Sequence, residues 1–171
     1  MATETRERAD HTPEAGPEEA VPDERPLAGY AVVIATFGAV FGSAMVAATR
    51  GNSLPERISG RDVVVVGLAT HKLSRLLAKD KVTSPLRAPF TTFQENSGKG
   101  EVEEKPRGTG VRRAIGELVV CPYCLSQWVA AAFAVGLIAA PRLTRLLAGM
   151  WAGQAIADGA QLAVAAAKKH S

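Results

Sequence analysis

The sequence predicts an all-α, multi-pass helical membrane protein, with three spans, a shorter fourth helix that either spans or lies in the interface, and a disordered acidic leader. Three observations carry this. Long charge-free runs occupy residues 28–49 and 118–141, and residues 146–167 carry one charge, Asp158. A run of about 20 apolar residues matches the hydrocarbon thickness of a bilayer. Aromatic residues are only 5% of the chain, so a soluble core would lack large side chains, whereas abundant alanine and glycine suit close helix packing in lipid.

The leader, residues 1–27, sets Arg6, Arg8 and Arg25 against eight carboxylates, and Pro13, Pro17, Pro22 and Pro26 interrupt any helix. It has too little apolar surface to offset the entropy of ordering, so it is expected to be disordered. Its early acidic residues, with no apolar run close behind them, do not fit a signal peptide. The rest, residues 28–167, reads as a helical membrane domain with helices at about 28–49, 62–79, 110–120, 122–140 and 143–167, and a loop at 80–109.

The first span, 28–49, would rise about 33 Å as a helix. Within it Gly38 and Gly42 form a GxxxG pair, which lets a second helix approach closely. Pro55 and Gly60 break the chain before the run Val63–Ala78. There Val63, Val66, Thr70, Leu73 and Leu77 share one side, and Lys72, Arg75 and Lys79 gather on the other. The segment suits a short span whose cations snorkel to the headgroups, or an amphipathic interfacial helix.

Residues 80–116 carry Pro85, Pro89 and Pro106, and with Gly98, Gly100, Gly108 and Gly110 they read as loop. Gly98-Lys99 is no phosphate loop, because no glycine stands five places before Gly98 and Gly100 occupies the Ser/Thr position. Thr109 is placed to cap a short basic helix through Arg112 and Arg113. Pro122 breaks that helix and suits the first position of the next, which makes Cys121 its N-cap. In the last span Trp151, Gln154, Asp158 and Gln161 form a stripe, with a second GxxxG pair, Gly149 and Gly153, roughly opposite.

Two features could carry chemistry. Cys121-Pro122-Tyr123-Cys124 holds the only cysteines, and a helix N-terminus near Arg112 and Arg113 favours a thiolate. They form a candidate redox pair, although packing is the simpler role. A closed zinc site needs four ligands, and His11, His71 and His170 are scattered, so metal at Cys121 and Cys124 would require two copies. The second feature is Asp158. Counting helical rise places it roughly 13 Å inside its span, the depth of Lys72 in a descending helix 62–79, so Lys72 or Arg75 is its expected ion-pair partner. No cofactor is implied.

Lysine and arginine favour the cytoplasmic side of short loops. Eight lie between Lys79 and Arg113, against Arg142 and Arg145 in the turn between the last two spans. The loop 80–117 and the C-terminus are therefore expected in the cytoplasm. Expected partners are the lipid bilayer, and a second copy or another membrane protein meeting the faces of Gly38, Gly42, Gly149 and Gly153. Nucleic acid is not expected, since the basic residues are too dispersed.

CPYC resembles a glutaredoxin active site over four residues only, since no βαβ pattern precedes it. A wider resemblance rests on three blocks: Ala69–Phe90 (ATHKLSRLLAKDKVTSPLRAPF), Gly100–Gly108 (GEVEEKPRG) and Gly116–Trp128 (GELVVCPYCLSQW). Together they resemble the bacterial membrane-protein family of domain of unknown function 1360, over roughly residues 61–167. The resemblance implies a bacterial cell membrane and no activity. A non-enzymatic envelope or interaction component is the reading that follows, the alternatives being a membrane thiol-redox or a metal-binding protein.

Overall fold

The computed structural model describes residues 25–98 and 100–169. The expected acidic leader lies outside the described residues up to residue 24. Helix α1 spans Leu27–Gly51 and α2 spans Gly60–Lys79. A 3-10 turn, Lys81–Thr83, leads into the short α3, Ser84–Arg87. Strands β1, Thr91–Gly98, and β2, Glu101–Pro106, form an antiparallel hairpin. Then follow α4, Gly110–Val120, α5, Pro122–Ala139, and α6, Pro141–Lys169.

The hairpin corrects the all-α expectation, which treated 80–109 as loop. Thr91 pairs with Pro106 and Glu95 with Glu103, with register shifts after Phe93 and after Asn96. Gly98 and Gly100 both take φ of 85°, a conformation open to glycine at no steric cost, and this lets the strands reverse. In β2, Val102 and Glu104 point inward and are buried, while Lys105 is exposed. The inward face thus alternates as a strand requires, but one of its two members is charged.

The four long helices alternate in direction. Arg145 Nη2 on α6 meets Asp62 of α2 at 2.9 Å, and Lys72 Nζ meets Asp158 at 2.7 Å. Both helices therefore descend side by side. Helix α5 runs the opposite way, joined to α6 by a turn in which Thr144 packs against Gly136. Helix α1 runs with α5, and Phe37 sets its ring edge-to-face against Trp128, centroids 5.1 Å apart. The hairpin, α4, the start of α1 and the end of α2 consequently share one end of the helical layer.

The helices touch through small residues. Ala69 and Ala148 are fully buried, Ala78, Ala114 and Ala152 nearly so. Among the described residues, two helices are long and apolar enough to cross a membrane, α1 and α5; few residues of either are fully buried, α1 being mostly exposed and α5 mostly half-buried. Helix α6, expected as a third such span, is not among them: Arg142, Arg145, Gln154, Asp158 and Gln161 interrupt its apolar length.

The glycine pairs also differ from a simple expectation. A Cβ added at Gly38, Gly42, Gly149 or Gly153 would meet nothing within 4 Å, so none of them serves a helix contact among the described residues. Close approach happens elsewhere. A Cβ at Gly29 would stand 2.7 Å from the Gly110 oxygen, and one at Gly116 would stand 2.6 Å from the Phe90 oxygen. These two contacts seat α4 against α1 on one side and the hairpin base on the other.

Candidate functional site

The most heavily bonded residue of the polar end is Arg87, the last residue of α3. Its guanidinium carries five N–H groups, and all five are used. Nε donates to Glu104 Oε2 at 2.6 Å. Nη1 donates to the Leu77 carbonyl and to Thr83 Oγ1, both at 2.6 Å, and Nη2 to the Asp80 carbonyl at 3.1 Å and Ser84 Oγ at 3.2 Å. Two carbonyls near the end of α2 are thereby tied to α3 and to β2. The site exists because Pro85 starts a single helical turn that carries Arg87 back beneath α2.

Glu104 is equally occupied. Besides Arg87 it accepts from Ser84 Oγ at 2.9 Å and Thr91 Oγ1 at 3.2 Å. Burial pushes its carboxyl up, but the hydrogen bonds from Arg87, Ser84 and Thr91 and the adjacent guanidinium charge outweigh this and hold it below the usual carboxylate range. The other carboxylates of β2 fasten the strand along α2: Glu101 receives two bonds of 2.8 Å from Arg75, and Glu103 one of 2.8 Å from Lys79 Nζ. Asp80, between these pairs, has its carboxyl pushed up, chiefly by burial.

Chemically, this is a closed network. Its central arginine uses all five donors and its carboxylate accepts three bonds, so the arginine cannot bind a ligand without opening the hairpin from α2. Sequence reasoning treated Arg87 as one of eight loop cations and did not single out Glu104. The signal available was the sign pattern, Glu101, Glu103 and Glu104 in β2 opposite Arg75, Lys79 and Arg87.

The cysteine pair lies where α4 gives way to α5. Cys121 occupies the N-cap with φ −101° and ψ 105°, Pro122 takes the first helical position, and the Cys124 N–H donates to Cys121 Sγ at 3.2 Å. Both cysteines are free, Cys121 half-buried and Cys124 exposed. Among the described residues no group of three or more His, Cys, Asp and Glu is placed to hold a metal ion. Thr109 holds the N-cap position of α4, but its side chain makes no capping bond. Beyond it, Arg113 Nε donates to Glu117 at 3.0 Å, and the Tyr30 hydroxyl donates to the same carboxylate, joining α1 to α4.

The two expected partners of Asp158 separate. Lys72 reaches it, with 17% of the lysine side chain and 49% of the aspartate exposed, whereas Arg75 turns to Glu101. Two apolar clefts flank α5. One of about 380 Å³ lies between α2, α5 and α6, lined by Leu73, Leu77, Leu125, Trp128 and Leu147 among others, and one of about 390 Å³ lies between α1 and α5. Neither gathers the convergent polar groups that a catalytic pocket needs.

The three sequence blocks thus meet in space. Ala69–Phe90 and Gly100–Gly108 are joined through Arg87 and Glu104, and Gly116 of the third block packs on Phe90 and Pro106. Comparison with known proteins agrees with this unit. A family model described as protein of unknown function (DUF1360) matches residues 65–164. Sporulation protein YjcA of Bacillus subtilis (strain 168) is 40% identical over 76 residues, 43% of this chain and 64% of the relative's own length. The chain therefore spans just under two thirds of that relative. No solved structure matches the chain.

Proposed function

The chain belongs to the DUF1360 family of proteins of unknown function, and from that premise we propose that it is a small multi-pass protein of the bacterial cell membrane, a non-enzymatic envelope or interaction component. The carrying observation is the pairing of two apolar helices, α1 and α5, in which few residues are fully buried, with a polar cap at one end of the layer. Water would not tolerate so much contiguous apolar surface, whereas lipid requires it.

Helices α2 and α6 complete four crossings on this reading. Support for a spanning rather than interfacial α2 comes from its ion pairs with α6, Asp62 with Arg145 near one end and Lys72 with Asp158 deeper. The cap is assigned to the cytoplasm by its lysines and arginines, and the start of α1 and the end of α6 go with it. The open faces of Gly38/Gly42 and Gly149/Gly153 are offered to a second copy or another membrane protein. A relative named as a sporulation protein points the envelope role toward spore formation.

Cysteine-accessibility mapping tests the topology. With Cys121 and Cys124 replaced by serine, single cysteines are introduced at Pro55 and Glu95. Position 55 is expected to react from outside intact cells and position 95 only after permeabilisation. Labelling of both from the same side would defeat the four-crossing arrangement. Crosslinking in native membranes then identifies the partner.

A further inference from the structure

The guanidinium groups of Arg107 and Arg112 converge on one neutral atom. Arg112 donates to the Pro89 carbonyl oxygen from Nε at 3.0 Å and Nη2 at 2.7 Å, and Arg107 Nε approaches the same oxygen at 3.4 Å. Two like charges side by side repel, and a carbonyl supplies only a partial negative charge to hold them. The carboxylate on α4, Glu117, is engaged by Arg113 and Tyr30. Both arginines are exposed, and each keeps N–H groups that the Pro89 oxygen does not use.

Three features of the surroundings point the same way. The amides of the first turn of α4 have no intrahelical acceptors, and Thr109 does not cap them, so the positive end of the helix dipole opens beside the arginines. Val111, next to Arg112 in the first turn of α4, is an apolar residue left 42% exposed. Gly110, finally, is packed against Gly29 in the first turn of α1. If α1 crosses the bilayer, the first turn of α4 sits where that crossing begins, at the level of the lipid headgroups.

We propose that Arg107, Arg112 and the uncapped start of α4 form a binding site for a phosphate group, supplied by the headgroup of an anionic phospholipid. Paired guanidinium groups match the oxygens of a phosphate, and the helix start adds backbone N–H donors. Val111 enters the acyl boundary beside the bound headgroup. The site rests on the membrane reading above, and it deepens it: the cap is anchored at α4 to a particular lipid charge, independently of the Arg87–Glu104 network that holds the hairpin.

The full chain is reconstituted in phosphatidylcholine vesicles with or without phosphatidylglycerol, and resistance to alkaline extraction is scored first. Release from the vesicles overturns both the membrane reading and the lipid site. With the chain retained, native mass spectrometry after detergent release counts bound phosphatidylglycerol. Arg107→Gln and Arg112→Gln are each expected to lower retention about fivefold, the effect of one cation near an anionic surface. Lys105→Gln, which removes an exposed charge from β2 outside the pair, is expected to leave retention unchanged. Wild-type retention in the double arginine variant overturns the site, as does an equal loss in Lys105→Gln, which would show only a diffuse field. Inorganic phosphate is not expected to displace the lipid; displacement would assign the site to a soluble phosphate instead.

Discussion

Arg87 and Glu104 meet at 2.6 Å with 2% and 5% of their side chains exposed. Arg87 is the largest side chain wholly enclosed in the described structure, ahead of Val102 and Ser74. The largest enclosed side chain therefore belongs to an ion pair. Desolvating two charges is costly, and the pair stands because five donors and a three-fold accepted carboxylate leave no charge unmet.

Removing one partner should open the cap. Glu104→Gln leaves an uncompensated buried guanidinium, a change worth about 3–5 kcal/mol. Limited proteolysis of the detergent-solubilised chain is expected to cut between residues 91 and 106 in the variant and not in the wild type. A hairpin that stays resistant would show that Arg87 does not hold it.

Acid should do the same through Glu104. Its carboxyl is held below the ordinary value of 4.5, so its stabilisation is complete above that pH and is lost as pH falls through the depressed folded value. Asp80 acts in the opposite sense. Its folded value is raised above 3.8, so it favours the folded cap most below 3.8 and loses that contribution as pH rises through the raised value. Amide chemical shifts of Thr91 and Val102 followed through an acid titration are expected to report loosening below pH 4.5. Asp80→Asn should remove only the change above 3.8.

Glycine substitutions should divide by location. Gly116→Ala places a Cβ 2.6 Å from the Phe90 oxygen and 3.0 Å from Pro106 Cβ, and the first of these is backbone that has little room to give. A cost of about 1–3 kcal/mol is expected in a denaturation series. Gly149→Ala meets open space, so the monomer should be unaffected or gain up to about 1 kcal/mol from helix propensity. Loss of crosslinked oligomers in Gly149→Ala, with folding intact, is the result expected if that face meets a partner.

The cysteine junction should behave as a helix cap. Cys121→Ser keeps an acceptor for the Cys124 N–H and is expected to be neutral, whereas Cys121→Ala should cost about 0.5–2 kcal/mol. Equal stability of the two variants would show that the cap bond contributes nothing. A serine pair at 121 and 124 that abolished function while keeping stability would restore thiol chemistry to the site.

Much of the helical architecture is written in charge spacing. Uninterrupted apolar runs mark α1 and α5, and Pro122 marks the break before α5 because proline fits only the first turn of a helix. The hairpin is not written that way. The inward residues of β2 are Val102 and Glu104, so the alternation that announces a half-buried strand is masked by a charge. Arg87 is opaque for the same reason, since burying a guanidinium requires partners from three separate segments that no local pattern names. The depth shared by Lys72 and Asp158 follows from helical rise alone. That Arg75 serves Glu101 instead depends on the unseen hairpin.

Parallel α2 and α6 have a bearing on how the chain is made. Asp62 and Lys72 find their partners 83 and 86 residues later. At about 5–20 residues per second, α2 leaves the ribosome some seconds before Arg145 and Asp158 exist. During that interval Asp62 and Lys72 lack these partners, while Arg75 and Lys79 already have Glu101 and Glu103 to meet. A chain truncated before Asp158 should leave Lys72 without its partner, so the last helix acts as the late-arriving half of the second one.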